Sequence, residues 1–140
     1  MIDIDNQTSL NIPQERIIEI AKSLTNKEID LLVVNNDTMQ AINQEHRNID
    51  KPTDVLSFPF EEVPMGPLGS LVISADFVTQ VSKEFSHTQE EEFCLLFIHG
   101  LLHLLGYDHE VDNGEMRLKE KELIHSFELP ESLIIRTLKD

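Results

Sequence analysis

The chain of 140 residues has little cysteine, few basic side chains and no long apolar segment. A single cysteine, Cys94, excludes an internal disulfide and is typical of proteins in a reducing cytoplasm. Lys and Arg number 11 against 26 Asp and Glu. The resulting formal net charge of −15 opposes the counterion release that normally drives nucleic-acid binding. No apolar stretch reaches the roughly 18 residues that a membrane span needs.

The remaining composition is typical of a globular domain. Hydrophobic residues make up 40% of the chain and charged residues 26%. No repeat, low-complexity tract or linker divides the sequence, so we expect a single domain over residues 1–140. The opening MIDIDNQTSL has acidic residues where a signal peptide would be basic. We therefore expect a soluble, cytoplasmic protein with no membrane contact.

The apolar pattern predicts an α+β fold in which a small mixed four-stranded sheet packs with five or six helices. Strands are expected at MIDID, Ile29–Val34, Val55–Phe60 and Leu71–Ile73. Pro59 directs the third of these strands toward a sheet edge, because proline cannot donate a hydrogen bond to a neighbouring strand.

Capping residues and apolar periodicity define the expected helices. The first four run from Pro13 to about Leu24, from an N-cap at Asp37 to Arg47, from a cap at Ser74 to about Phe85, and from Gln89 to Leu105. A fifth starts at Asp112 or Asn113 and has Met116, Leu118, Leu123 and Ile124 as its apolar residues. A short sixth follows Pro130. Thr88 and Glu91 form a capping-box pattern at the start of the fourth helix. This helix is apolar nearly all round, which predicts that it is buried.

The run HGLLHLLGYDH carries the most specific chemical signal. His99 and His103 are four residues apart and therefore share one face of the central helix. Gly106 can adopt a positive φ, end the helix and turn the chain back, so that His109 meets the other two imidazoles. Three nitrogen ligands with a fourth position left to water describe a catalytic zinc site on this helix and the following turn.

The alternative for these residues is a set of satisfied core histidines. The spacing arises by chance about once in a hundred such sequences, and this low rate favours the metal. Cys94 lies five residues before His99 and points away from the ligand face, so we expect it to be a small buried hydrophobe. His46, His87 and His125 have no partner at ligand spacing and are interpreted as surface or core residues.

The histidine spacing also resembles that of the metzincin zinc peptidases, with one difference. Those enzymes carry a Glu general base directly after the first His, where this chain has Gly100. A positioned base is typically worth roughly 10²- to 10⁴-fold in rate, so its loss disfavours a peptidase. Asp108 is the nearest substitute base, although we favour a role in which it bonds a ligand imidazole.

A second chemical segment is HRNIDKPTD. Arg47 and Lys51 on a loop held by Pro52 could receive a phosphate, with Arg47 making bidentate hydrogen bonds. In the alternative interpretation, both cations merely favour the negative C-terminal end of the preceding helix. Composition alone favours the alternative.

Three segments in this order, KPTDVLSFPF, LGSLVIS and HGLLHLLGYDH, resemble the YbeY family of bacterial ribosomal RNA maturation factors. The resemblance implies a metal-dependent, single-strand-specific endoribonuclease that matures small-subunit ribosomal RNA and acts in ribosome quality control. It implies one Zn²⁺ held by His99, His103, His109 and water, and it makes Arg47 a phosphate or transition-state contact. Ser70 is a departure, because the family usually has Asp at this position.

The resemblance also implies ribosomal RNA and small-subunit ribosomal proteins as partners, with no DNA partner. Ribosomal proteins could deliver the RNA strand to a chain whose own charge is acidic. Zinc-activated water and the RNA 2′-hydroxyl both remain open as the nucleophile. Two other functions also remain open: a non-catalytic, zinc-containing ribosome assembly factor and, as a third choice, a metzincin-like peptidase.

Overall fold

The computed structural model describes residues 1–131, which form four strands and five helices. The strands are β1 (Ile2–Asn6), β2 (Ile29–Val34), β3 (Val55–Pro59) and β4 (Gly69–Ser74), and the helices are α1 (Gln14–Lys22), α2 (Asn36–Arg47), α3 (Ala75–Glu84), α4 (Gln89–Leu104) and α5 (Glu115–Ser126). The predicted α+β class is confirmed. The terminal helix predicted after Pro130 lies outside the described residues. Within residues 1–131 no helix has the length and apolar character needed to cross a membrane.

The sheet is mixed, with the strand order β1-β2-β4-β3. Strands β1, β2 and β4 are parallel, and β3 pairs antiparallel with β4 in a register that places Val55 opposite Ile73 and Pro59 opposite Gly69. Strand β3 is therefore an edge strand, as Pro59 predicted, because a residue without a backbone N–H is tolerated where one side of the strand is unpaired.

Helix α4 forms the centre of the hydrophobic core. It packs against β3 and β4 and against helices α1, α3 and α5. Its side chains are buried on nearly every face, and the rings of Phe93 and Phe97 are fully inaccessible. Cys94 is also fully buried, and burial raises the pKa of its thiol to about 11. The prediction of a small, buried hydrophobe is confirmed. A thiol at that pKa is not a thiolate at neutral pH.

The N-terminus of α4 is fixed by the predicted capping box. The backbone N–H of Glu91 donates to Thr88 Oγ1 at 3.0 Å, and the N–H of Thr88 donates to Glu91 Oε1 at 2.9 Å. Ser74 caps α3 in a similar way, because its Oγ accepts from the N–H of Phe77 at 3.3 Å. Both helix starts therefore follow from local sequence.

Two predicted helix starts need correction. Asn35, and not Asp37, caps α2, because the Asn35 side chain accepts from the N–H of Thr38 at 3.0 Å. Helix α5 begins after Gly114, whose φ is +104°. The Asp112 carboxylate accepts hydrogen bonds from the backbone N–H groups of Gly114 and Met116. Asp112 therefore caps the start of α5 although it lies before the helix.

One predicted core residue is also wrong. Leu118 is 69% exposed, whereas Met116, Leu123 and Ile124 are buried as expected. The fourth buried side chain of α5 is that of Glu120, which is fully inaccessible. The helix therefore buries a carboxylate along with its apolar face.

Candidate metal centre and cleft

The three histidines of HGLLHLLGYDH converge at the C-terminal end of α4. Their candidate ligand atoms all lie within 4.8 Å of one another, so His99, His103 and His109 could hold one metal ion. The ring centroids of His99 and His103 are 4.8 Å apart, and each lies 5.8 Å from the ring of His109. Gly106 makes the return turn with φ +99°, a conformation that L side chains rarely adopt.

The outer nitrogens of two of these rings are held by hydrogen bonds. His99 Nδ1 donates to Glu120 Oε1 at 2.9 Å, and His103 Nδ1 donates to the backbone oxygen of Tyr107 at 3.1 Å. A carboxylate and a carbonyl can only accept, so both Nδ1 atoms carry the proton. In the neutral rings the Nε2 atoms are then unprotonated and able to bind a cation.

The two Nε2 atoms lie 3.3 Å apart. Because both protons are on Nδ1, the lone pairs of the two Nε2 atoms face each other at this distance and repel. A cation bound between them would remove this repulsion. Burial, followed by the proximity of His99 and His109, lowers the pKa of His103 and disfavours an imidazolium that could bridge the gap. The Nδ1 atom of His109 is buried without a hydrogen-bond partner among residues 1–131. The site therefore fits a metal ion.

Glu120 is the residue of this site that sequence reasoning missed. It lies 21 positions after His99 and reaches it because α5 packs on α4. The Glu120 side chain is fully buried, and its Oε2 has no hydrogen-bond partner among the described residues. The sequence did contain a signal, because Glu120 falls between Met116 and Leu123 on the buried face of α5. An acid at such a position usually has a specific partner.

Asp108 does not take the role expected for it. Its Oδ1 accepts a hydrogen bond from the backbone N–H of Glu110 at 3.0 Å, which stabilises the turn before His109. The carboxylate that bonds a ligand imidazole is instead that of Glu120. Asp108 is nevertheless one of the residues that line a cleft together with the three histidines.

A cleft of about 540 Å³ opens over the three histidines. Its other walls include Arg47, Asp54, Ser57 and Asp108. Arg47 is the last residue of α2, where the helix ends at Asn48 with φ +59°. The fold thus brings Arg47 to the same cavity as residues more than 50 positions further along the chain. Its catalytic role stays a prediction.

Gly100 lies where α4 packs closely against β3 and β4. A Cβ at this position would lie 2.8 Å from Leu71 Cδ2 and 3.0 Å from Val55 Cγ2. Ser57 Oγ also donates to the Gly100 carbonyl oxygen at 3.0 Å, so β3 contacts the α4 backbone directly. A side chain at the position occupied by the general base in metzincins would require Leu71 and Val55 to shift. This geometry argues against a metzincin-like peptidase.

The three remaining histidines have partners elsewhere. His46 packs its ring on Phe58 with the centroids 5.0 Å apart. His87 bonds the buried Glu92 at 2.7 Å, and His125 bonds Glu131 at 2.9 Å. They are surface or core residues, as expected from their spacing.

Ser70 lies within β4, opposite Phe58 of β3.

These features define a small α+β protein with a three-histidine centre that could bind a metal at the base of an open cleft. The chain belongs to the Endoribonuclease YbeY family, whose family model matches residues 3–128. The family inferred from the three motifs is thereby confirmed.

Relatives from several bacteria match almost the whole chain. The "Endoribonuclease YbeY" of Sulfurimonas denitrificans is 64% identical over 137 residues, which is 98% of this chain and 99% of that protein. The Aliarcobacter butzleri protein of the same name is 62% identical over 138 residues, covering 97% and 99% of the two chains. The solution structure of TM1509 from Thermotoga maritima aligns with a TM-score of 0.64 and 30% identity, over 91% of this chain and 89% of that one.

The Glu120–His99 hydrogen bond predicts an effect on metal affinity. Glu120→Ala removes the acceptor that orients the ring, and we expect it to weaken metal binding roughly 10- to 100-fold. Glu120→Gln keeps a neutral acceptor and should lose less. Competition with a chromogenic chelator measures both changes. Glu122→Gln is the matched control, because Glu122 is exposed on the same helix and bonds Lys119. Equal affinity of the Glu120→Ala variant and the unchanged protein would contradict the expectation.

Proposed function

We propose that this chain is a zinc-dependent endoribonuclease that cleaves single-stranded RNA during maturation of small-subunit ribosomal RNA and in ribosome quality control. The observation that carries the proposal is the pair of opposed His99 and His103 Nε2 atoms beneath a cleft that Arg47 also lines. Membership of the Endoribonuclease YbeY family supports RNA as the substrate.

Zinc is proposed because of the donor set and its spacing. Two nitrogens each about 2.0–2.1 Å from a tetrahedral ion are separated by about 3.3 Å. The observed separation of His99 Nε2 and His103 Nε2 is 3.3 Å. Three neutral imidazoles leave one tetrahedral position open to a non-protein ligand, as in catalytic zinc sites. Elemental analysis of the purified protein tests the identity of the ion.

The proposal divides the chemistry between the ion and the chain. Zinc held by His99, His103 and His109 would supply a Lewis acid that polarises a phosphate oxygen and favours ionisation of a nucleophile. The Arg47 guanidinium binds the phosphate by two parallel hydrogen bonds and stabilises the negative charge that develops on it. Glu120 and the Tyr107 carbonyl hold two of the rings in the required tautomer.

The acidic surface limits how the RNA arrives. With a formal net charge of −15, long-range attraction of a polyanion is unfavourable, so only local cations engage the phosphate. We propose that small-subunit ribosomal proteins bring the RNA strand to the cleft, and that the reaction takes place in the cytoplasm.

Cleavage of a synthetic RNA tests the proposed function. The purified protein should cut a single-stranded oligonucleotide and spare the same sequence in a duplex. Chelation should abolish cutting, and added zinc should restore it. A 2′,3′-cyclic phosphate on the product would identify the RNA 2′-hydroxyl as the nucleophile, whereas a linear end without a cyclic precursor would identify water. Cutting that persists after chelation would contradict the proposal.

The second candidate is a non-catalytic assembly factor whose zinc orders the cleft. The observations that favour it are the acidic composition and the absence of a base at Gly100. This candidate predicts zinc in the protein and association with small ribosomal subunits, without RNA cleavage. The nuclease assay above separates the two functions.

A further inference from the structure

A second cavity, of about 430 Å³, adjoins the metal cleft. The two cavities share Pro59 and Gly106 as wall residues. Apolar and polar residues both line the second cavity. The apolar residues are Pro59, Phe60, Pro67, Leu68, Leu104 and Leu105, and the polar ones are Thr25, Lys27 and Glu62. We call this space the Phe60 cavity.

We propose that the Phe60 cavity binds a nucleobase of the RNA strand whose scissile phosphate lies in the metal cleft, with the Phe60 ring as the stacking surface. This inference rests on the proposed function and extends it to a specific base-binding subsite.

Continuity between the two cavities is the first argument. Pro59 lines both spaces, and Phe60 follows it directly in the chain. Gly106, the other shared wall residue, lies three residues from His103 and three from His109. A base is joined to its neighbouring phosphates through a single ribose. The shared wall makes the Phe60 cavity the neighbouring space for a base that lies next to a phosphate held in the cleft.

The chemistry of the wall is the second argument. Phe60 is 41% exposed, and a large aromatic ring left partly in water at the rim of a cavity is a typical stacking platform for single-stranded nucleic acid. Its position is fixed by the backbone, because the N–H of Phe60 donates to the Leu68 carbonyl oxygen at 3.1 Å. Among the polar wall residues, Lys27 can donate to a base carbonyl and Glu62 can accept from a base amino group.

This subsite provides a physical basis for single-strand specificity. A base within a duplex is stacked between its neighbours and paired on its edge, so it cannot enter the cavity unless it is extruded. A base in a single strand enters at lower cost. The metal centre does not contact the base, so the Phe60 cavity would add a direct test of whether a base is free of its pairing partner.

Steady-state cleavage by Phe60 variants tests the inference. Phe60→Ala should raise KM for a single-stranded RNA about 5- to 100-fold and leave kcat within twofold, because stacking contributes to binding of the strand. Phe60→Tyr keeps the ring and should retain the original KM, whereas Phe60→Leu should behave like Phe60→Ala. Met65→Ala is the matched control, because Met65 is a fully exposed apolar residue in the loop that follows Phe60.

Abasic substitution in the RNA provides an independent measurement. Removing the base at one position beside the cleavage site should raise KM for the unchanged protein and have no further effect in Phe60→Ala. Unchanged KM in Phe60→Ala, with cleavage by the starting protein intact, would overturn the base-binding subsite and leave the proposed function standing. Absence of cleavage by the starting protein would overturn the proposed function. In that case, Phe60-dependent quenching of bound 2-aminopurine RNA would still support the subsite, and equal quenching in Phe60→Ala would overturn it.

Discussion

Replacing His103 with alanine is expected to remove the bound metal and to lower RNA cleavage by about 10³-fold or more. The size follows from the several kcal/mol that a metal ion contributes to a phosphoryl-transfer transition state, at 1.36 kcal/mol for each factor of ten. His103 contributes one of the two opposed Nε2 atoms, and its Nδ1 is bonded to the Tyr107 carbonyl oxygen. Its removal therefore leaves a two-ligand site. Metal content by elemental analysis and cleavage of a labelled RNA measure the two losses.

His125→Ala is the control for this change. It also removes a histidine, but one that bonds Glu131 away from the metal centre, and it should retain both metal and activity. The zinc-dependent rise in melting temperature should disappear in His103→Ala and persist in His125→Ala, because a ligand that binds only the folded state stabilises it. Residual activity in His103→Ala equal to that of the unchanged protein would point to a contaminating nuclease and contradict the proposed role.

Arg47→Ala is expected to lower kcat by roughly 10²- to 10³-fold with a smaller effect on KM. Removing a preorganised donor to developing negative charge typically has an effect of this size. Arg47 lines the metal cleft from the C-terminal end of α2, so its side chain can meet a phosphate there without movement of the backbone. Single-turnover cleavage of saturating RNA measures the chemical step directly.

Arg47→Lys distinguishes catalysis from a helix-end effect. Lysine keeps the favourable charge at the C-terminus of α2 but loses the bidentate geometry, so stability should hold while kcat falls. Lys51→Ala on the neighbouring loop is a control for loss of a cation. It should have little effect, because Lys51, unlike Arg47, is not among the described residues that line the cleft. Full activity in Arg47→Lys together with lower stability in Arg47→Ala would contradict a catalytic role. Arg47 would then only stabilise the C-terminal end of α2 through the helix dipole.

The features that sequence predicted correctly depend on neighbouring residues. The capping box at Thr88 and the edge position of the strand that holds Pro59 each follow from a few adjacent side chains or from one backbone property. The meeting of His99, His103 and His109 depends on a helical repeat and a positive-φ glycine. Each of these features depends on a segment of about ten residues, so the sequence of that segment is enough to predict it.

The features that sequence missed depend on packing between distant segments. Glu120 reaches His99 only because α5 docks on α4, and no periodicity within α5 states which residue it will face. The same docking leaves Leu118 in solvent despite its apolar side chain. The N-cap of α2 is a different case, because its contact is local: the Asn35 side chain accepts from the N–H of Thr38. Both Asn35 and Asp37 are residue types that favour N-caps, and sequence reasoning chose the wrong one of the two.

The bond between Glu120 and His99 has a consequence for the order in which the protein becomes functional. Synthesis proceeds from the N-terminus, so all three imidazoles leave the translating ribosome before the carboxylate that orients one of them. A nascent chain or proteolytic fragment ending before α5 would contain the complete histidine motif yet leave His99 free to adopt the wrong tautomer. Full affinity for the metal is therefore reached only after the C-terminal part of the chain has docked on α4.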